Sequence, residues 1–333
     1  MIDADIFIPS SNRIDSLKTC LDSLDRQTNK NFHIIIAKIR ENKAVDHLLK
    51  KYPRLSIYSF VQVKRGLIGA ANESLGKSRY PIFIRVDDDV EMKPFWFDSL
   101  IKTYRADKTI GGVTGPTIMS KDGLNSRHLT KFIGEIQSND NMLFRVIKGY
   151  LKIIYEDKMY EPSMFLKSGA FTLGSNYPKA LKIKHLIDVD NLEACNWSCR
   201  RNLLLKIGGF DESYTKGLGE FHEADAARKI NCLGYRLIFN PQVQLKHNVE
   251  QGKVQDARGE SFWRIQNFVL FYFRFNRIKN FDQLFRFGMY LLFQNFYYLY
   301  NFLRTGQFDQ LLAFPGTIIG LLRAVHIKKY YES

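Results

Sequence analysis

"FIRVDDDVEM", residues 83–92, sets three carboxylates in a row directly behind an apolar run. Asp87, Asp88 and Asp89 repel one another, and hydrogen bonding along a β-strand does nothing to offset that crowding. Adjacent carboxylates bind a hard divalent cation through oxygen, share a proton, or face water as a solvated cap. An EF-hand is excluded, because the residues that follow lack its Gly at the sixth position and Glu at the twelfth. The role of the triplet therefore depends on where the chain puts it.

Upstream, "ADIFIPS" (4–10) reads as a buried strand. Ile14, Leu17, Leu21 and Leu24 then recur at three- and four-residue spacing, one face of a helix, with Ser10, Ser11 and Asn12 available to cap it. "NFHIIIAKI" (31–39), "LSIYSFVQV" (55–63) and "YPIFIRV" (80–86) read as further strands, with helical stretches at 43–51 and around Ala70 to Leu75. Strands alternating with helices imply an α/β fold, a mainly parallel sheet flanked by helices. Ligands of such sheets gather at the carboxyl ends of the strands. The aspartates lie at the carboxyl end of the fourth.

Downstream, Pro94 opens a helix over 94–105, and "GGVTGPTIM" (111–119) is strand-like. Residues 120–190 are polar and without clear period, the character of binding loops or a variable insertion. "NWSCRRNLLLKIGGFDESY" (196–214) holds a short helix ended by Gly208 and Gly209; 220–233 is helical, and "YRLIFNPQVQLKHN" (235–248) reads as a strand pair.

The 333 residues are 45% hydrophobic, enough for one large domain or two small ones. The net charge of +15 favours partners that carry phosphate: nucleic acid, an anionic membrane face or a phosphorylated small molecule. The basic residues form no arm or block, so nucleic acid is not expected. Cys20, Cys195, Cys199 and Cys232 match neither a disulfide framework nor a CxxC metal pair, and "MIDADIFIPSSNR" shows no secretory signal. A reduced, cytoplasmic setting is the expectation.

Beyond Gly252 the composition changes. "FWRIQNFVLFYFRFNRIKNF" (262–281) and "FGMYLLFQNFYYLYNFL" (287–303) pack aromatics between Arg and Lys, and "QLLAFPGTIIGLL" (310–322) is broken by Pro315 and Gly316. The uncharged run between Arg286 and Arg304 falls short of the roughly 20 strongly apolar residues that span a bilayer. Residues 253–333 are read as helices lying on the inner face of the plasma membrane, aromatic faces down and basic residues at the headgroups. The alternative is a helical subdomain that buries its aromatics against the rest of the chain or a second copy.

"VDDDV" after an apolar strand resembles the DxD motif of nucleotide-sugar glycosyltransferases with the GT-A fold. "DIFIPSSNRIDSLKTCLDSLDRQT" (5–28), "KRGLIGAANESL" (64–75), "ACNWSCRRNLLLKIGGFDESYTKGLGEFHEADAARKINCLGYRL" (194–237) and "VQLKHN" (243–248) resemble, in family order, further blocks of glycosyltransferase family 2. The resemblance implies a catalytic domain over 1–252, with a donor-binding half (1–119) and an acceptor-side half (120–252). It implies an inverting transfer of sugar from a UDP-, GDP- or dTDP-linked donor to a glycan or lipid-linked acceptor, assisted by Mn²⁺ or Mg²⁺.

The same resemblance assigns residues. Pro9, Asn12, Arg13, Arg65, Gly66, Asn72, Asp87 and Asp88 fall on the donor side, and Asp89 and His247 on the metal. Asn196, Trp197, Glu220 and His222 fall on the acceptor side, Trp197 as a sugar-stacking platform or a plain core residue. Glu223 falls on the general base, with Glu220 as a contender and Asp225 in support. Two departures stand out. His222 replaces a Glu, and "IIIAKIRENKAVD" (34–46) lacks the usual DDGS, leaving Glu41 or Asp46 to stand in. A nucleotide-sugar-binding or scaffold protein without turnover is the rival reading.

Overall fold

A computed structural model describes residues 3–11, 13–119, 128–214, 219–248 and 261–330. The chain opens with alternating elements: β1 (Ala4–Ser10), α1 (Ile14–Asp25), β2 (Phe32–Lys38), α2 (Lys43–Leu49), β3 (Ser56–Val61), α3 (Leu67–Lys77) and β4 (Ile82–Val86). The aspartate triplet follows, then β5 (Val90–Met92), α4 (Trp96–Ala106), β6 (Ile110–Thr114) and β7 (Thr117–Met119). Next come α5 (His128–Ser138), α6 (Met142–Tyr155), β8 (Ile187–Asp188), β9 (Asn196–Arg200), α7 (Arg201–Lys206), α8 (His222–Cys232), β10 (Arg236–Phe239) and β11 (Leu245–His247). The tail is α9 (Ser261–Phe275), α10 (Phe281–Thr305) and α11 (Ala313–Ala324).

Eight strands form one sheet in the order β3-β2-β1-β4-β9-β6-β10-β8. Pairings β3-β2, β2-β1, β1-β4 and β6-β10 are parallel; β9 runs antiparallel between β4 and β6. Alternation along each strand divides the core between two faces. Ile6, Ile8, Ile34, Ile36, Ile82 and Ile84 meet α1, α2 and α4 through Leu17, Leu21, Val45 and Trp96. Phe7, Phe83, Trp197 and Cys199 meet α3, α7 and α8 through Ala71, Leu75, Leu203 and Ile230. The expected α/β architecture is present, and β4 delivers the triplet to the carboxyl edge beside β1.

Several local expectations change. Among the described residues no side chain caps α1, since Ser11 turns to Asp88 instead, and Asn12 lies outside the described residues. The expected pair β10 and β11 separates: Pro241 follows β10, which stays in the large sheet, while β11 joins a small sheet between β5 and β7. Residues 120–190, read as irregular, contain α5 and α6, the latter capped by Asn141. Their apolar faces (Ile133, Ile136, Leu151, Ile154) share a cluster with Met159 and Leu166 nearby, but much of their cover comes from the tail: Phe268, Tyr272, Phe287 and Phe293. Helices defined by such distant contacts leave a weak local signal.

Burial against the rest of the chain accounts for much of the tail's aromatic content. Tyr272 stacks on Phe287 with centroids 4.0 Å apart, and Tyr290, Tyr297 and Tyr298 are buried. A different set of apolar side chains remains outside. α11 puts its small residues inward: a Cβ on Gly316 would stand 2.7 Å from Ile265, and one on Gly320 would stand 3.2 Å from Val269. Its large residues Phe314, Ile318 and Leu322 face solvent, as does Val325 just past its end. No described helix is long and apolar enough to cross a membrane.

Candidate active site

Antiparallel pairing of β4 with β9 ends at Val86 opposite Asn196, so the register sets Asp87 across from Cys195 just past the paired residues. On the other side β11 pairs with β5, His247 opposite Val90, and Asn248 donates its N–H to the Asp89 carbonyl at 2.8 Å. Two strand ends from distant parts of the chain thus converge on the triplet.

The three aspartates have different partners. Asp88 accepts from the Arg13 guanidinium and, at 3.3 Å, from the Ser11 N–H. Burial pushes its carboxyl up to about 6 despite Arg13. For Asp89 burial acts in the same direction, but His247 and Arg13 outweigh it and hold the carboxyl below its usual range. Arg13 Nη1 donates to Asp89 at 2.9 Å, and His247 Nε2 lies 3.2 Å from Asp89 Oδ1. Asp87 accepts from Arg85 Nη2 at 2.9 Å and is the most accessible of the three.

His247 is buried, which disfavours its charged form, yet Cys195 and Asp89 outweigh burial and push it up to about 10. Its Nδ1 lies 3.7 Å from Cys195 Sγ. Among the described residues, Asp87, Cys195 and His247 form a group able to hold a metal ion, their ligand atoms all within 4.8 Å of one another. Carboxylate oxygen, imidazole nitrogen and thiol sulfur are all competent ligands for a divalent transition metal, so the donor set fits.

Arg85 connects this cluster to a second one. It is 3% exposed inside β4, and an arginine is rarely buried without anionic partners. Its Nη1 donates to Glu223 Oε1 and to the Ala194 carbonyl, both at 2.6 Å, while Nη2 holds Asp87. Glu223 sits in the first turn of α8, with its other oxygen 2.9 Å from His222 Nδ1. Burial would raise the Glu223 carboxyl, but His222 and Arg85 bring it down to about 2, so it is ionised at neutral pH. Arg85 carried a sequence signal, a charge inside the apolar "FIRV" (83–86), that the motif reading passed over.

Phe221, directly before His222, has φ of 77°, an unusual left-handed conformation for a bulky side chain. Its ring packs against Phe171, Phe268 and Phe271, tying the start of α8 to α9. Asp225, one turn on from Phe221, is wholly buried among Arg274 (2.6 Å), Lys229 (2.7 Å) and the Tyr214 hydroxyl (3.1 Å). Arg274 comes from α9.

The acceptor-side expectations fare differently. Trp197 is fully buried, donates to the Glu223 carbonyl at 3.3 Å and packs on Phe210, so its ring is a core group with no free face for sugar. Asn196 is likewise buried, its amide fixed between the Trp96 indole N–H and the Val243 carbonyl. His222 is 1% exposed and orients Glu223. Glu220 is half-buried, 3.8 Å from Arg264.

On the donor side, Asn72 spends its amide on the backbone of Phe210, accepting at 2.9 Å and donating at 2.8 Å. That clamp needs Gly209, whose φ is 78° and whose Cβ would stand 2.8 Å from Asn72 Oδ1. Gly66 (φ 91°) opens α3 beside an exposed Arg65, and Pro9 lies in β1. Lys64 pairs with Glu212 at 2.6 Å. Glu41 and Asp46 both turn to Lys38 at the end of β2, 3.3 and 2.7 Å away.

The profile of glycosyl transferase family 2 matches residues 5–171, half of the chain. The chain belongs to glycosyl transferase family 2. It is a glycosyltransferase, and three solved structures share its GT-A architecture. A mannosyltransferase from Pyrobaculum calidifontis, solved with GDP-Man and Mn²⁺, has TM-score 0.53 and 16% identity over 97% of this chain and 75% of its own. S. aureus TarS (1–349) with UDP-GlcNAc has TM-score 0.58 and 10% identity, covering 97% of this chain and 81% of its own. GalNAc-T7 with UDP, GalNAc and Mn²⁺ has TM-score 0.56 and 16% identity, covering 83% of this chain and 48% of its own. No curated protein matches the sequence.

Proposed function

We propose that this glycosyltransferase is metal-dependent and inverting, with a nucleoside-diphosphate sugar bound at the end of β4 and Glu223 as general base. The observation that carries the reading is the Asp87–Arg85–Glu223 bridge, which holds a strand-end carboxylate and an ionised glutamate on one buried guanidinium. Asp87 and His247 gather the divalent ion, Mn²⁺ or Mg²⁺, at that strand end, with Asp89 against the far side of His247. Such an ion supplies charge neutralisation to a departing diphosphate. Arg13 supports the donor side by keeping Asp88 and Asp89 from repelling each other. On the other side Glu223, held ionised by Arg85 and His222, accepts the proton of the acceptor hydroxyl as the oxygen attacks the anomeric carbon.

The acceptor is a glycan or lipid-linked glycan met at an anionic membrane surface. Support comes from the outward stripes Phe285, Leu292, Phe296 and Leu303 on α10 and Phe314, Ile318 and Leu322 on α11, continued by Val325. Exposed Arg304, Arg323 and Lys328 stand near their ends. Apolar stripes flanked by cations suit a headgroup layer.

The test is release of nucleoside diphosphate from UDP-, GDP- and dTDP-sugars by the purified chain with Mn²⁺, and the anomeric configuration of the product. A donor that binds with no nucleoside diphosphate released under any condition leaves the non-catalytic rival standing. For the membrane part, Ile318→Ser with Leu322→Ser is expected to abolish co-sedimentation with anionic vesicles while leaving the melting temperature unchanged. Undiminished vesicle binding overturns it.

A further inference from the structure

Cys195 is in neither a disulfide nor a CxxC pair, and the reaction just described does not use it. Its neighbourhood is nevertheless specific. The β4–β9 register sets it opposite Asp87, and Arg85 fixes the preceding carbonyl, that of Ala194, at 2.6 Å. Sγ is 3.7 Å from His247 Nδ1 and, with Asp87, completes the group within 4.8 Å. His247 is also oriented from behind, because its far nitrogen Nε2 contacts Asp89 Oδ1 at 3.2 Å. Metal-binding histidines commonly hold a carboxylate on the ring nitrogen that does not touch the metal, which fixes the ring and strengthens the ligand. Asp89 stands in that position, and Nδ1 is left for the ion.

Resting on the metal-dependent reading above, we propose that Cys195 is a direct ligand of the divalent ion, in a mixed set of Asp87 oxygen, His247 Nδ1 and Cys195 sulfur, with Asp89 as a positioning residue behind His247. Three protein ligands leave positions open for the diphosphate oxygens. On binding, the thiol proton and the Nδ1 proton of the His247 imidazolium both leave to solvent as the sulfur–metal and nitrogen–metal bonds form, and no change of oxidation state is involved. The chemical class of the ion follows. Mg²⁺ is held by oxygen in near-octahedral geometry, whereas a thiolate favours softer ions. The site is expected to rank Zn²⁺ and Co²⁺ above Mn²⁺, with Mg²⁺ last.

The experiment is a Co²⁺ titration of the intact chain without donor, read by absorbance. Wild-type protein should develop the intense near-ultraviolet band of thiolate-to-cobalt charge transfer. Cys195→Ser should lose that band, and Cys20→Ser, Cys199→Ser and Cys232→Ser should keep it. Asp89→Asn should keep the band but bind Co²⁺ about 10–100-fold more weakly. A wild-type spectrum identical to that of Cys195→Ser overturns the proposal. Should Cys195→Ser fail to fold, ¹¹³Cd magnetic resonance of the wild-type protein decides, and a resonance in the range of oxygen and nitrogen ligands alone overturns it. Donor binding is measured separately as a melting shift with UDP-, GDP- and dTDP-sugars. A cobalt band without any donor binding would remove the proposed nucleotide-sugar reading of this strand end and keep the metal site; donor binding with Mn²⁺ and no thiolate signal would do the reverse.

Discussion

The two carboxylate clusters on either side of Arg85 are both buried and both neutralised by basic groups, yet they are built differently. At the strand end, Asp88 and Asp89 are balanced by Arg13, which is about one quarter exposed and sits in the turn before α1, and by His247 at the end of a three-residue strand. At the start of α8, Asp225 is balanced by Lys229 and Arg274, both almost fully buried on long helices. The first set hangs on a loop and a short strand, and under the metal-dependent reading an incoming divalent ion takes over its charge while His247 gives up a proton to bind it. The second is part of the packing. Similar charges therefore serve as a ligand site in one place and as scaffold in the other, and Glu223 stands between them.

The largest effect should come from Glu223. Glu223→Gln keeps the shape and removes the base, so turnover should fall about 10²–10⁴-fold with little change in donor affinity. Steady-state rates beside donor titrations measure this, and an unchanged turnover number would move the base elsewhere. Asp225→Ala removes the wholly buried one of the two carboxylates that Lys229 and Arg274 share, and leaves both cations with the part-exposed Asp211 alone. It should cost about 3–5 kcal/mol of stability in denaturant unfolding, with no recovery on adding Mn²⁺.

Acid sharpens the contrast within α8. The folded carboxyl of Glu223, at about 2, lies below an unfolded value of roughly 4.3. Its contribution is thus fully present above the unfolded value and lost as pH falls from there through the folded one. The loss should be on the order of 3 kcal/mol and should be missing from Glu223→Gln when stability is followed against pH. Smallest of the four is Arg13→Ala, which removes the cation shared by Asp88 and Asp89 and leaves them the Ser11 N–H and His247 respectively. It should destabilise by about 1–3 kcal/mol, and divalent ion should restore the loss. Equal rescue of Arg13→Ala and Asp225→Ala by Mn²⁺, or of neither, would erase the distinction between ligand site and scaffold.

What the sequence disclosed follows the same division between local and distant causes. Strands β1 to β4 were legible because each is an apolar run bounded by polar turns, and the triplet was placed correctly by counting strands. β9 was not legible: "NWSCR" has no apolar run, and its register depends on both β4 and β6. α5 and α6 were missed because their apolar faces meet helices more than a hundred residues away. In the site, Trp197 and Asn196 have residue types that suit sugar binding, but burial is decided by packing that no motif records. Arg85 and Arg274 could have been flagged, each being a lone cation in an apolar stretch. Cys195 could not, because its metal partners come from other strands and the CxxC rule looks only along the chain.

Phe221 has a consequence for how this enzyme tolerates its surroundings. A bulky residue held in a left-handed conformation stores about 1–3 kcal/mol, and it persists only while its neighbours confine it. Those neighbours include Phe268 and Phe271 of α9, the helix on which α11 rests. The tail thus acts as a latch on a sprung residue, and the spring sits one residue from the histidine that aims Glu223. A detergent that loosens the tail should release it, so that amide exchange at residues 221–225 quickens, and turnover drops, while the eight-stranded sheet is still intact.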